Sequence, residues 1–435
     1  MLIKVKANAI ITALLVFLIF SLLVFAQAIF NQSDFQDLEI ALIFYWLGKL
    51  AGLIGFLFLS LLIFSGDTAR YFDRFFGLDK IIKFQRKFAL ATMILVLAHP
   101  IFFILSSRSI FFYIIPDFSV LPLALGIMAF YVFIIVMAAS AAYKRISYQL
   151  WQYLHIFTYV LFFFSLYHAV NWGSDSGGWP MRIIYLILFL ALIGGIIYRT
   201  AYKLKQRSAG KFYVREVKSE TKEVFTLTLK AEKKFVFRAG QFCFLRLNQN
   251  KLYARHPFTI VSSPGESELR FAVKTQGRFT RALLKLKSGD EVIVDGPFGI
   301  FTAEDRAKDL VFIAGGVGIA PFISLIKDRL ADKKNQQVVL LYGTRKAADI
   351  IYREELDGIK EAWFAKVYIL SNDSSCLAVS EAGHINQKII EKYVPNISDS
   401  LFYICGPESM KTSLKEILKK LKVNKQNIMI EDFFW

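Results

Sequence analysis

The chain has 435 residues, 55% of them hydrophobic, and a formal charge of +18. That length allows two or three domains. The three cysteines, Cys243, Cys376 and Cys405, make no CxxC pair, which argues against a disulfide framework and against a zinc or iron–sulfur site. All three fall in the C-terminal half and suit a reducing compartment there. The positive charge does not call for nucleic acid, because Lys and Arg collect beside the apolar segments, as the positive-inside rule expects.

About 20 mostly apolar residues suffice to cross a bilayer. Six such stretches follow one another, at about 8–30, 41–65, 87–107, 119–143, 148–170 and 181–201. The connecting segments alternate in charge. Lys4 and Lys6 precede the first stretch, and the loop at 31–40 has no Lys or Arg. The loop at 66–87 carries Arg70, Arg74, Lys80, Lys83, Arg86 and Lys87, whereas the next holds only Arg108. Lys144 and Arg145 follow, then a loop at 171–180 without Lys or Arg, then an exit through Arg199, Lys203, Lys205 and Arg207. The pattern predicts a six-helix transmembrane bundle over 1–206. It places both termini and the C-terminal half in the cytoplasm, as for a bacterial inner (plasma) membrane protein. Ala26 and Ala28 offer an A-x-A cleavage pattern, but the first apolar run is longer than the roughly 7–15 residues of a signal peptide.

Three of the 5 histidines, His99, His155 and His168, lie inside these stretches. An ionisable side chain in lipid is costly and needs a partner or a ligand. Neutral imidazole is also an axial ligand of haem iron. The 13 residues from His155 to His168 rise about 20 Å along a helix, so the two sit at different depths. They also turn about 220°, so a bulge or bend is needed before both face one way. Isolated histidines bonding to neighbouring helices remain the plain alternative.

From 207 to 304 the pattern changes to period two. Residues 212–218, 223–230, 241–247 and 269–275 alternate like antiparallel strands. Their Gly and Pro punctuation suggests a small β-barrel. Within it lies Arg255-His256-Pro257-Phe258-Thr259-Ile260-Val261-Ser262-Ser263. Further on, Gly277-Arg278-Phe279-Thr280 opens a predicted helix at 280–287. A hydroxyl and free backbone N–H groups at a helix start suit a pyrophosphate, with Arg278 and Arg281 adding charge. Asp295-Gly296-Pro297-Phe298-Gly299 closes the segment.

From 305 to 435 strands alternate with helices, which implies an α/β domain with a parallel sheet. The apolar run Leu310–Ile313 leads into Ala314-Gly315-Gly316-Val317-Gly318-Ile319-Ala320-Pro321, a Gly-rich turn that brings backbone N–H groups close to phosphates. A second strand, 338–342, leads to Gly343-Thr344-Arg345-Lys346. A third covers 366–370. A fourth, 401–404, leads to Cys405-Gly406-Pro407. His384 reads as structural.

The segments LDKIIKFQRKFALATMILVLAHP (78–100) and WQYLHIFTYVLFFFSLYH (151–168) resemble spans three and five of the ferric reductase and NADPH oxidase superfamily. The ordered series HPFT, GRFT, DGPFG, GGVGIAP and CGP resembles the same family and its ferredoxin–NADP reductase relatives, so the likeness covers about 40–435. It implies a membrane flavocytochrome b with three domains: a haem bundle (1–206), an antiparallel FAD-binding barrel (207–304) and an NAD(P)H-binding domain (305–435). In the family each of the two spans gives two histidines, and two b-type haems stack across the bilayer. His99 and His168 map onto the outer pair and His155 onto one inner position. The other inner position, 14 residues before His99, is Gln85, a poor axial ligand, so the likeness implies one haem (heme b) and leaves the second open.

The resemblance further makes His256, Pro257, Phe258, Thr259 and Ser262 flavin contacts. It gives Gly277, Arg278, Phe279 and Thr280 to the pyrophosphate, and Gly315, Gly316, Gly318, Pro321, Cys405, Gly406 and Pro407 to the nicotinamide nucleotide. Arg345 and Lys346 stand where a 2′-phosphate is met, which favours NADPH over NADH. Cys405 and a C-terminal aromatic, Trp435 or Phe433, are candidates to position nicotinamide and flavin. The implied activity carries electrons from cytoplasmic NAD(P)H through FAD and haem to an acceptor outside. Oxygen (giving superoxide) and ferric iron both suit. The alternative is an electron donor to a periplasmic or membrane partner protein.

Overall fold

The structure is a computed structural model that describes residues 2–30, 40–143, 145–174, 176–207, 211–247, 256–303, 308–332, 336–372 and 380–432. The chain divides into two compact parts, Met1–Lys205 and Gln206–Trp435.

The first part is helical: α1 (Leu2–Phe30), α2 (Ile40–Asp67), α3 (Ala69–Phe76), α4 (Leu78–Ser107), α5 (Phe111–Ile114), α6 (Leu121–Ala141), α7 (Tyr148–Trp172) and α8 (Trp179–Arg207). Six of these are long and apolar enough to cross a membrane. Large apolar side chains such as Leu15, Leu23, Ile94, Ile101, Leu186 and Leu190 lie exposed on them, as expected of faces turned to lipid. Glycines govern the close pairing of α2 with α4. A β-carbon on Gly48 would lie 3.0 Å from the Phe103 ring, and one on Gly55 3.3 Å from Val96. Ser147 caps α7 by accepting the Leu150 N–H at 3.2 Å. Phe56, Leu57, Phe162, Ile184 and Leu188 form the core between α2, α7 and α8.

The basic segment expected as a loop at 66–87 is mostly helical. It holds α3, and α4 begins at Leu78. Exposed lysines do not interrupt a helix whose other face buries Leu78 and Ile81. What separates α3 from α4 is Gly77, at φ 83°, with the Leu78 N–H donated to the Asp73 carboxylate at 2.7 Å.

The second part starts with strands β1 (Phe212–Ser219), β2 (Val224–Ala231), β3 (Phe242–Leu247), β4 (His256–Thr259), β5 (Glu268–Lys274), helix α9 (Arg278–Leu284) and β6 (Glu291–Phe298). Its sheet runs β4-β3-β6-β1-β2-β5 with antiparallel neighbours. A bridge between Ile260 and Phe271 returns β5 to the end of β4 and closes the barrel. The interior holds Phe225, Leu227, Leu229, Leu245, Phe271 and Val273.

Then follow β7 (Leu310–Gly315), α10 (Ala320–Asp332), β8 (Val338–Thr344), α11 (Arg353–Gly358), β9 (Phe364–Leu370), β10 (Ser380–Ala382), α12 (Gln387–Tyr393), β11 (Leu401–Cys405), α13 (Glu408–Lys420) and β12 (Ile428–Ile430). All pairs in this sheet are parallel, in the order β10-β9-β8-β7-β11-β12. From β7 the chain winds one way through β8 and β9, then returns to the other side as β11. The strand order therefore reverses between β7 and β11.

Barrel and sheet share bonds. Tyr352 donates its hydroxyl to Thr226 at 2.8 Å, and Thr226 donates on to Glu220 at 2.8 Å. Arg270 pairs with Glu355 at 2.9 Å. Ser324 donates to the Ser262 carbonyl at 2.6 Å.

Candidate functional site

The point where strand order reverses in an open α/β sheet is where ligands bind, outside the carboxyl ends of the strands. Here those ends are Gly315 on β7 and Cys405 on β11, paired in register as Cys405 beside Ala314. The two Gly-bearing turns meet backbone to backbone. A β-carbon on Gly318 would overlap the Cys405 carbonyl, and one on Gly406 would lie 3.0 Å from the Gly315 nitrogen. One on Gly315 would lie 2.8 Å from Pro407. Gly316 has φ 54°, a conformation that favours glycine. Pro321 is buried in the first turn of α10.

Tyr342 escaped the sequence reading. It is fully buried, donates its hydroxyl to the Gly316 carbonyl at 3.1 Å, and accepts the Ile351 N–H at 3.3 Å. Burial pushes its pKa far up, so it stays a donor. No spacing rule signals such a brace; it depends on β8 lying beside β7. Cys405 is 1% exposed, and burial pushes its thiol far above the ordinary value, with Glu431 adding to the effect. It is a neutral, small group at the base of the crevice. Arg345 and Lys346 are exposed just past β8, and Asp349 accepts the Lys346 N–H at 3.2 Å.

In the barrel the HPFT and GRFT segments come together. The His256 ring stacks on Phe279 at 4.5 Å and 25°, and Phe258 lies parallel to the same ring at 6.2 Å. Burial lowers the pKa of His256, so the ring favours its neutral form. Thr259 is buried. Thr280 accepts the N–H groups of Gln276 and Gly277, each at 3.0 Å, so its hydroxyl caps its own loop. Arg278 is exposed. Ser262 is fully buried, and its hydroxyl accepts the Arg270 N–H at 2.6 Å. Its position ties the barrel to α10 through Ser324. Arg255, Cys376, Phe433 and Trp435 lie outside the described residues.

In the helical part, His99 on α4 and His168 on α7 face each other. Their ring centres are 6.3 Å apart, with planes at 80°. Each ring is held from behind. His99 Nδ1 donates to the Gly48 carbonyl at 2.8 Å, and His168 Nδ1 to the Pro122 carbonyl at 2.9 Å. A carbonyl only accepts, so both Nδ1 atoms carry the proton and both Nε2 atoms keep a lone pair. Two glycines make room. A β-carbon on Gly52 would overlap the His99 ring, and one on Gly126 would lie 2.5 Å from His168 Nδ1. Two metal–nitrogen bonds of about 2 Å, plus roughly 1.1 Å from each nitrogen to its ring centre, separate axial imidazole centres by about 6 Å. These two residues fit a shared iron. His155 stands apart, stacked on Trp151 at 4.7 Å and 23°.

A second polar group was not read from the sequence. Asp67, at the end of α2, is 3% exposed in its side chain and accepts from Tyr159 at 2.7 Å and from Arg199 at 3.0 Å. A lone acid at the end of an apolar run was the available signal.

The fold and these sites define an integral membrane oxidoreductase with an FAD-binding and an NAD-binding domain. Family models match in the same order: a ferric reductase like transmembrane component over 51–166, an FAD-binding domain over 210–302, and an oxidoreductase NAD-binding domain over 312–416. This is the architecture of the ferric reductase and NADPH oxidase superfamily, and the chain is an NAD(P)H-driven transmembrane flavin oxidoreductase of that kind.

One component of the Na(+)-translocating NADH-quinone reductase of Pseudomonas aeruginosa is 33% identical over 183 residues, 40% of this chain and 43% of that protein. The corresponding component from Pseudoalteromonas atlantica is 34% identical over 180 residues, again 40% and 43%. The chain thus spans about two fifths of the length of these curated relatives. Among solved structures, an Amycolatopsis cytochrome P450 reductase aligns at 26% identity and TM-score 0.47, over 52% of this chain and 69% of that one. A Neisseria gonorrhoeae ferredoxin NADP+ reductase with bound FAD and NADP aligns at 21% identity and TM-score 0.46, over 52% and 98%.

Proposed function

We propose that the protein passes electrons from cytoplasmic NAD(P)H through FAD and one b-type haem to an acceptor on the opposite side of a bacterial plasma membrane. The domains it uses for this are 1–206, 207–304 and 305–435. The observation that carries the reading is the His99–His168 pair, held ready in a membrane bundle that is fused to a flavin and nicotinamide reductase. When bound between these rings, haem supplies one-electron carriage within the bilayer, while the protein fixes its place and polarity. The charge alternation of the connecting segments supports cytoplasmic termini.

The crevice between Gly315–Gly318 and Cys405–Pro407 takes the nicotinamide nucleotide. Arg345 and Lys346 meet its 2′-phosphate, which favours NADPH. Cys405 is a neutral wall beside the nicotinamide. Phe258, Thr259 and the stacked His256 flank the flavin, and Arg278 adds positive charge for its pyrophosphate.

Oxygen and ferric iron are the acceptors proposed. A second reading, donation to a membrane or periplasmic partner, draws support from the likeness to a component of a quinone reductase. Purified protein in vesicles with NADPH separates them. Rapid superoxide formation or ferric-chelate reduction supports the first. Turnover that stalls until a quinone or partner protein is added supports the second.

A further inference from the structure

We infer that this chain carries a single haem, at the outer position, and that its inner position is closed to iron by a polar tie among three helices. This rests on the reading of His99 and His168 above. It adds a departure from the four-histidine, two-haem pattern of the superfamily.

The outer pair has three marks of a prepared site: a carbonyl behind each ring, a glycine beside each ring, and a spacing that matches two axial bonds. The inner position keeps a glycine on α2 but lacks the facing pair of rings and, among the described residues, the carbonyls behind them. Gln85 lies 14 residues before His99 on α4, and Gly66 lies 14 residues after Gly52 on α2. The helix pairing is thus preserved, but the ligand is not. The Gln85 amide donates to the Ser65 hydroxyl at 3.2 Å, which commits it to α2. A β-carbon on Gly66 would meet only that amide nitrogen, at 3.9 Å, so no ring fills the space.

On α7, His155 lies flat against Trp151, one turn before it. No carbonyl holds its ring nitrogens among the described residues, so the shell that orients a metal-binding imidazole is missing. Helix α6 has one glycine, Gly126, and it serves His168.

The same level holds polar groups that bond to one oxygen of Asp67, Oδ1, while its buried Oδ2 has no partner among the described residues. Asp67 sits two residues past Ser65 on α2, and Tyr159 one turn past His155 on α7. The Tyr159 hydroxyl donates to Asp67 Oδ1 at 2.7 Å. Arg199 Nη1 on α8 donates to that oxygen and to the tyrosine oxygen, each at 3.0 Å. Gly195 lets α8 come this close, since a β-carbon there would lie 3.2 Å from the Asp67 side chain. A buried carboxylate at membrane depth needs such partners, so this tie joins α2, α7 and α8 beside the inner position.

The test is a haem count per chain on the full-length protein in detergent, by pyridine haemochrome, for wild type, His155→Ala and His168→Ala. The expected result is one haem in wild type, one in His155→Ala and none in His168→Ala. Carbon monoxide should leave the reduced spectrum unchanged, because an iron held by His155 alone would bind it. Two haems in wild type, loss of haem in His155→Ala with the helical content intact, or a carbon monoxide band each overturn the inference while leaving the outer site standing. No haem in wild type overturns the outer site as well. Should His155→Ala fail to fold, the wild-type count and the carbon monoxide spectrum decide alone.

Discussion

Gly318 and Cys405 lie 87 residues apart in the chain, yet a β-carbon on Gly318 would overlap the Cys405 carbonyl oxygen. The Gly315–Gly318 turn and the Cys405–Pro407 turn are in backbone contact, which is possible because Gly318 and Gly406 carry no side chain. Gly318→Ala should therefore separate the two strand ends. Overpacking of this kind costs roughly 1–3 kcal/mol. The expected outcome is a lower thermal midpoint and a raised KM for both NADPH and NADH, with the bound flavin spectrum unchanged. Unaltered KM values would show that the contact does not shape the nucleotide site.

Arg345 tests nucleotide choice. A hydrogen bond to a charged group is worth about 1.5–3 kcal/mol. Arg345→Ala should raise the KM for NADPH by roughly ten- to hundredfold and leave that for NADH nearly unchanged. Equal effects on both would show that the loop after β8 does not meet the 2′-phosphate.

The outer histidines test the haem. His99→Ala and His168→Ala should each abolish the reduced-minus-oxidised haem band while flavin content stays near wild type. Gly52→Ala should act in the same direction by pushing the His99 ring aside. Retention of the full band in His168→Ala would remove the pair as ligands.

Tyr352→Phe addresses the tie between barrel and sheet. It removes the donor to Thr226 and should cost about 0.5–1.5 kcal/mol. Thr226 keeps its bond to Glu220, so the loss stays local. A differential scan of wild type against variant measures it, and no shift in midpoint would show that the bond does not support the interface.

His256 gives a pH dependence with a definite sign. Burial lowers its pKa in the fold from the ordinary 6.5. The unfolded chain then takes up the proton first as pH falls through 6.5, so the neutral stack on Phe279 stabilises the fold above that value and loses its advantage below it. His256→Phe keeps an aromatic ring on Phe279 and removes the proton. The midpoint difference between wild type and variant should shift against wild type from pH 7.5 to 5.5. A constant difference over that range would exclude His256 as the titrating group.

The six spans were legible because lipid demands long apolar runs, and the two glycine turns because close backbone approach demands glycine. Four of the six barrel strands were legible from period two, within a residue or so at each end; β4 and β6, which carry the HPFT and DGPF residues, were read only as motifs. What escaped depends on tertiary neighbours. Tyr342 reads as one more apolar strand residue until β8 is placed beside the Gly316 carbonyl. Asp67, Tyr159 and Arg199 come from three helices far apart in sequence. The helix α3 was hidden by its charges, although Gly77 marked its end. Ser262 carries a tie its motif did not signal: its hydroxyl accepts the Arg270 N–H and its carbonyl accepts from Ser324.

The carbonyls behind the two outer histidines belong to different partners, Gly48 on α2 for His99 and Pro122 at the start of α6 for His168. One imidazole is therefore fastened to the α2·α4 hairpin and the other to the α6·α7 hairpin. A metal bridging the two rings would act as a rivet between hairpins, and its binding energy would count as cohesion of the bundle. Filling the site would then raise the unfolding midpoint of the membrane part, and losing either carbonyl contact would loosen one hairpin from the other.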